Sequence, residues 1–240
     1  MEEALSKIRC HTSSNLLHQK SPAKLLVALE QTFDEQHAER TPAAYFSGIL
    51  TALEATVQKE KGTKFSLGDG DILPAELYLL ALVGPYVPPP IIRANLNTLL
   101  AVTSVLWQDL LSYPPPLRSQ ITLYNALLRA ADRSQLEGSG LRQPFATILQ
   151  LCVDSRPKVR KKAVEVVSDV LENPPSPMVR HPYAPRVGEW SANALSEVSA
   201  IGSNKQKKKT SEDSTSAAIH LLTFLRPVLP YLPSSVSPAG

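Results

Sequence analysis

The apolar residues of this chain recur three and four residues apart in most of the segments between its prolines. This spacing places them on one face of a helix, so each segment predicts an amphipathic α-helix. After Thr41-Pro42, for example, the apolar positions are Tyr45, Phe46, Ile49, Leu50, Leu53 and Val57. About ten such helices are predicted, and the period of a strand is convincing in none of the segments. The predicted fold class is therefore all-α.

Prolines indicate where these helices begin and end. The chain has 21 prolines and only 10 glycines. Ser21-Pro22 and Thr41-Pro42 predict helix starts, because serine and threonine cap helices and proline lacks an N–H that the first helical turn does not use. Further prolines are each predicted to end one helix and admit the next. They stand at 88–90, at 114–116, at Pro144 and at Pro157.

The segment from Phe145 to Leu171 indicates how the helices pack. An apolar helix, a turn containing Asp154, and a second helix containing Val159-Arg160 and Ala163 follow one another. This order resembles a HEAT repeat, in which Asp154 would accept backbone bonds in the turn. Arg160 would donate to the turn of a neighbouring repeat and form a polar ladder. We therefore predict an α-solenoid of HEAT-like antiparallel helix pairs rather than a closed bundle.

Polar stretches divide the predicted helices into successive parts. A break rich in glycine, lysine and aspartate separates the first helices from the repeats, and a proline-rich connector follows the repeats. The predicted parts are N-terminal helices at 1–59, a polar loop at 60–71, HEAT-like helical repeats at 72–172, a proline-rich connector at 173–185, C-terminal helices at 186–233 interrupted by a basic loop at 202–214, and a tail at 234–240.

Composition excludes several classes of protein. Hydrophobic residues make up 43% of the 240 residues, charged residues 20%, and the net charge is +3, so the chain is neither a disordered polyelectrolyte nor globally basic. Cys10 and Cys152 are too few for a disulfide framework, which fits a reducing compartment. The most apolar window, 73–87, contains Glu76 and is shorter than the roughly twenty residues that cross a bilayer. We expect no membrane association.

Motifs of enzymes and of metal sites are missing. Gly138-Ser139-Gly140 lacks the spacing of a nucleophile elbow, and the chain has neither a phosphate-binding glycine loop nor an H-E-x-x-H pair. Gly68-Asp69-Gly70-Asp71 is reminiscent of a calcium loop, but Leu80 stands where that loop needs a glutamate. We therefore expect no catalytic residues, no cofactor and no metal.

Two groups of cations leave alternatives open. Arg156, Lys158, Lys161 and Lys162 stand at a helix start, where they either contact RNA phosphates or an acidic partner, or form a solvated face with Glu165 paired to a lysine. The second group lies in the predicted basic loop. Its functional interpretation is a nuclear import signal or a phosphate contact, and the alternative is a solubilising linker. The group consists of Lys205, Lys207, Lys208 and Lys209.

Several short motifs resemble the N-terminal region of the ribosomal RNA-processing protein 12 family. The helical segment Lys158-Val159-Arg160-Lys161-Lys162-Ala163 and the pair His181-Pro182 are similar to that family's pattern. The motifs nearer the N-terminus are Ile8-Arg9, Ser13-Ser14, Gln19-Lys20, Val27-Ala28-Leu29-Glu30 and Ala43-Ala44-Tyr45-Phe46. The resemblance covers most of the chain.

The resemblance implies a non-enzymatic HEAT-repeat scaffold of small-subunit ribosome assembly in the nucleus and nucleolus. It implies association with pre-ribosomal particles and their nuclear export, and contact with pre-rRNA, transport factors and nucleoporins. Members of the family are several times longer, so we expect this chain to be a fragment of a longer solenoid or an unusual short product. The alternative is a transport-receptor-like adaptor that binds peptides or nucleoporin repeats in clefts between helices.

Overall fold

Helices joined by loops make up the part of the chain that the computed structural model describes, which is residues 1–203 and 208–233, with side chains for 1–200 and 215–233. Thirteen α-helices and two short 3-10 helices, Gly84–Tyr86 and Leu229–Tyr231, occur there without a β-strand, which confirms the all-α prediction. The α-helices are α1 (Glu2–Arg9), α2 (Leu17–Glu35), α3 (Pro42–Glu60), α4 (Ile72–Val83), α5 (Pro89–Ala94), α6 (Leu96–Ser104), α7 (Trp107–Leu110), α8 (Pro114–Ala130), α9 (Arg133–Glu137), α10 (Ser139–Leu151), α11 (Pro157–Glu172), α12 (Ala184–Ser203) and α13 (Lys208–Val228).

The helices form two compact units, at residues 1–131 and 132–240. The division falls between α8 and α9, inside the segment 72–172 that is predicted to form the HEAT-like repeats. Across the described residues, no helix combines the length and the apolar character that a bilayer span needs.

In the first unit, α4 packs against both α2 and α8. The Ser21 hydroxyl donates to the Gly70 carbonyl at 2.7 Å and so holds the start of α2 beside the start of α4. At the other end of α4, Gly84 packs against Ala126 of α8. In addition, α3 packs against α2, α4 and α6. The result is a series of stacked helix pairs that bury their apolar faces against one another.

A buried ionic network joins the first three helices. The Glu30 carboxylate on α2 accepts hydrogen bonds from Arg9 Nε at 2.9 Å and from Arg9 Nη2 at 2.7 Å. The Tyr45 hydroxyl of α3 donates to the same carboxylate at 2.6 Å. Burial and the Glu30 carboxylate raise the pKa of Tyr45 to about 12. This carboxylate therefore holds one residue from each of two neighbouring helices.

The proline-based predictions were right at some helix starts and wrong at others. Thr41 caps α3 by accepting from the Ala44 N–H at 3.2 Å, and Pro157 is the first residue of α11, as predicted. By contrast, Pro22 and Pro144 lie inside α2 and α10. Both proline rings are buried, so tertiary packing compensates for the helical hydrogen bond that each proline removes.

In the second unit, α10 packs against α9 and α11, and α13 packs against α11 and α12. Tyr183, just before α12, donates to the Leu136 carbonyl of α9 at 2.7 Å and packs at a tilt of 40° on Phe145 of α10, with ring centroids 4.5 Å apart. Trp190 of α12 meets Phe224 of α13 edge to face at 5.5 Å. One hydrogen bond and two aromatic contacts thus link α9, α10, α12 and α13.

The predicted loop at 202–214 is wrong over its second half. The backbone of α12 remains helical to Ser203, and α13 begins at Lys208. The lysines there are good helix formers, so a polar composition did not distinguish a loop from a helix start.

Candidate functional site

The turn between α10 and α11 is built around the Asp154 carboxylate. Its Oδ1 accepts from the Arg156 backbone N–H at 2.8 Å and from Arg156 Nε at 2.8 Å, and its Oδ2 accepts from Arg156 Nη2 at 2.7 Å. These bonds lower the pKa of Asp154, with the Arg156 side chain as the main cause. Asp154 is therefore an ionised residue that accepts a backbone N–H bond within this turn.

Arg160 of α11 forms hydrogen bonds with the backbone of the same turn. Its Nη1 donates to the backbone carbonyl of Asp154 and, at 3.3 Å, to that of Ser155. In the described part of the chain these bonds stay within the arginine's own repeat, because the side chain folds back over the turn that precedes its helix. The ladder between neighbouring repeats stays a prediction.

A histidine from the last helix reaches this turn. His220 of α13 lies beside the backbone of Val153, and its pKa is lowered by burial and by the charge of Arg160. The turn is thus held from within its repeat by Asp154 and Arg160 and contacted from α13 by an imidazole.

The cations at the start of α11 fall into two groups. Arg156 pairs with Asp154, and Lys162 Nζ lies 2.6 Å from Glu165 Oε2, which is the pairing expected of a solvated face. Among the described side chains, Lys158 and Lys161 have no carboxylate within 4.0 Å. Both are exposed and three residues apart, so they share one face of the helix. The anion-contact hypothesis is therefore best supported for these two lysines.

The side chains of the second lysine group fall outside the part of the chain that the structure describes. Lys205 and Lys207 lie outside the described residues. Lys208 and Lys209 are the first two residues of α13, and their side chains are outside the described part.

The first unit carries a groove that sequence reasoning missed. The cavity is about 1050 Å³ in volume and lies along α4, between α1 and the start of α2 on one side and the start of α8 on the other. Three tyrosines line it, Tyr78, Tyr86 and Tyr113. They come from a helix, a 3-10 helix and a loop, so no local motif connects them. Within the described residues no cluster of histidine, cysteine and carboxylate side chains is arranged to hold a metal.

Comparison with known families identifies this architecture. A family model described as "RRP12-like, N-terminal HEAT repeats" matches residues 8–239. The chain belongs to this family. The match confirms the HEAT-like α-solenoid and the predicted resemblance to the N-terminal region of this family.

Curated relatives of this family are much longer than the chain. The chain is 28% identical to "Ribosomal RNA-processing protein 12" of Saccharomyces cerevisiae, over 95% of the chain and 20% of that protein. It is 26% identical to "RRP12-like protein" of Gallus gallus and 25% identical to the protein of the same name of Homo sapiens, in each case over 96% of the chain and 17% of the relative. The chain thus spans about a fifth of the length of these relatives. No solved structure matches it.

Proposed function

We propose that this chain is a non-enzymatic scaffold of ribosome biogenesis that takes part in pre-rRNA processing, in assembly of the small-subunit precursor and in its nuclear export. The observation that carries the proposal is the family match over residues 8–239, together with relatives named for ribosomal RNA processing. An α-solenoid suits this role, because stacked repeats present an extended surface to several partners at once.

The partners in this proposal are proteins of pre-ribosomal particles, pre-rRNA and nuclear transport factors, and the location is the nucleus and nucleolus. The chain would contribute the first repeats of a longer solenoid, in keeping with the 17–20% of the relatives' length that it spans.

Affinity purification tests the scaffold role. The tagged chain, expressed in cells, is expected to enrich small-subunit precursor rRNA and pre-ribosomal proteins over mature ribosomes, and to accumulate in nucleoli. A tagged unrelated helical-repeat protein of similar size serves as the control. Recovery of precursor rRNA no higher than with that control would refute the proposal.

For contact with RNA we propose the α11 cations, with Lys158 and Lys161 as the main pair. Arg156 and Lys162 add positive potential even though each has a carboxylate partner. The second group is proposed as a further phosphate contact or nuclear import signal and consists of Lys205, Lys207, Lys208 and Lys209.

Charge reversal tests the α11 contact. Binding of labelled single-stranded oligouridine is measured across salt for the Lys158→Glu, Lys161→Glu double variant. Each lost phosphate contact lowers the salt slope by about 0.7, so we expect a decrease of about 1.4. The control, Lys24→Glu with Lys59→Glu, makes the same change in net charge at exposed positions of the first unit. An unchanged slope in the α11 variant, or an equal decrease in the control, would remove this patch from the proposal.

The transport-receptor-like adaptor remains the second candidate, because the groove along α4 lies between helices as such a cleft requires. Salt distinguishes the two roles. Phosphate contact weakens steeply as salt rises, whereas an apolar cleft loses much less affinity.

A further inference from the structure

The groove of the first unit has a floor made by one face of α4. Pro74, Tyr78, Ala81 and Leu82 line it at helical spacing, and the 3-10 helix that follows adds Tyr86. The walls come from α1 and the start of α2 and from residues 113–122 at the start of α8. Because the twelve residues of α4 rise about 1.5 Å each, the floor is about 18 Å long. An extended segment fits such a floor better than a compact ligand.

Two of the three tyrosines of the groove, Tyr78 and Tyr86, are exposed. Tyr78 is 42% exposed and Tyr86 is 49% exposed. Within the described residues, no group forms a hydrogen bond with either hydroxyl. The buried tyrosines differ, since Tyr45, Tyr124 and Tyr183 each have a hydroxyl partner. The two exposed rings thus offer apolar faces together with free hydroxyl donors, which is the combination that peptide-binding surfaces use.

Prolines add rigid apolar walls beside the tyrosines. Pro85 precedes Tyr86, and Pro114 and Pro115 follow Tyr113 at the start of α8. Grooves lined by aromatic rings recognise the polyproline II conformation, because its proline rings pack between the aromatic side chains. The carbonyl groups of that conformation have no internal partners and accept bonds from tyrosine hydroxyls.

The charges of the groove disfavour a nucleic acid. Asp69 and Asp71 line it, as do Lys7 and Arg118, so the carboxylates balance the lysine and arginine cations. Lys7 is in addition paired with Glu3 at 2.6 Å. Binding of a polyanion needs a surplus of cations, which this lining lacks even though His11 and His18 also contribute to it.

The acidic loop before α4 complements a basic group. Asp71 already accepts from the Gly68 N–H at 2.6 Å. Asp69 is exposed, and no lysine or arginine of the described side chains pairs with it. A cation on a bound segment therefore finds an unpaired carboxylate at the end of the groove where α4 begins.

We propose that this groove binds a proline-rich segment of a partner protein in the polyproline II conformation, with prolines against Tyr78 and Tyr86 and an arginine or lysine at Asp69. At about 3.1 Å per residue, the 18 Å floor of α4 accommodates about six residues of the segment. The proposal rests on the groove alone and is independent of the scaffold role, so either can fail without the other.

Fluorescence anisotropy of the whole chain tests the proposal with a labelled peptide, Arg-Pro-Pro-Leu-Pro-Pro-Leu-Pro-Pro. We expect saturable binding that weakens about five- to tenfold in Tyr78→Ala and in Tyr86→Ala, because each change removes a ring that packs on proline. Tyr78→Phe keeps the ring and is expected to lose only about two- to threefold, the effect of one hydrogen bond. The control is Val105→Ala, a change at a 47% exposed apolar residue outside the groove, which is expected to leave affinity unchanged.

A second arm tests the charge contact and does not depend on the tyrosine variants folding. Asp69→Asn is expected to weaken the arginine peptide about threefold and to leave unchanged a peptide with alanine in place of arginine. Equal binding by the wild type and both tyrosine variants, or no saturation with the wild type, would overturn the proposal. It would also be overturned if a Phe-Gly repeat peptide bound as tightly, or if oligouridine bound in a way that depended on Tyr86.

Discussion

Loss of Arg9 is expected to destabilise the first unit strongly, because it leaves the Glu30 carboxylate without its main partner. The Glu30 side chain is only 7% exposed and accepts from two nitrogens of Arg9. Breaking a buried pair from one side is destabilising by about 3–5 kcal/mol. Since Tyr45 and Arg40 still face the carboxylate, we expect the lower end, about 3 kcal/mol, for Arg9→Ala.

Replacing both partners is expected to be less harmful than removing one. In the double variant Arg9→Met, Glu30→Met, no charge is left buried and the apolar side chains restore part of the packing, so about half of the loss returns. Tyr45→Phe alone removes one charge-assisted hydrogen bond and is expected to destabilise by about 1–2 kcal/mol.

The assay follows the first unit alone by urea unfolding. The two tryptophans lie in different units, so the variants are made in a Trp190→Phe background in which Trp107 reports on the first unit. Lys7→Ala, which breaks only the exposed pair with Glu3, is the matched control and is expected to change stability by less than about 0.5 kcal/mol. A loss below about 1 kcal/mol in Arg9→Ala, or no recovery in the double variant, would refute the reasoning.

Three further predictions concern single groups. Burial raises the pKa of Glu76 to about 7, so the first unit, followed by Trp107, should lose up to about 3 kcal/mol as pH rises from 4.5 to 7, and Glu76→Gln should abolish this slope. Burial lowers the pKa of His181 to about 4, so the second unit should lose stability as pH falls from 6.5 to 4. Trp190 fluorescence in a Trp107→Phe background follows this unit. A stability that does not change with pH in this range, or the same pH dependence in His181→Gln, would contradict the prediction. Asp154→Ala should lower the free energy of unfolding of the second unit by about 1–2 kcal/mol in urea, because the turn loses its hydrogen-bond acceptor. Glu189→Ala, a change at an exposed position, should leave this free energy unchanged.

Some of the candidate sites could be predicted from short-range patterns. Asp154 and Arg160 are only six residues apart, in a turn and in the helix that follows it, so their HEAT-like spacing was readable along the chain. The pairing of Lys162 with Glu165 at 2.6 Å was readable for the same reason, since residues three apart share a helix face. The sequence did not indicate which cations lack a carboxylate partner among the described side chains. In the structure Arg156 pairs with Asp154, whereas Lys158 and Lys161 are exposed.

The sequence by itself determined the helices and several of their starts. Apolar period and capping act between residues a few positions apart, so Thr41-Pro42 and Pro157 marked real helix starts. The family was also readable, because its motifs are short and contiguous.

Only the tertiary structure decided which residues from different helices meet. Pro22 remains within α2 because its ring is buried, which outweighs the local tendency of proline to begin a helix. The groove joins Tyr78 and Tyr86 to residues of α8 that are far away in sequence, and Glu30 gains its partners from two other helices. Such contacts depend on how whole helices stack, and the stacking energy is spread over many side chains that no local window contains.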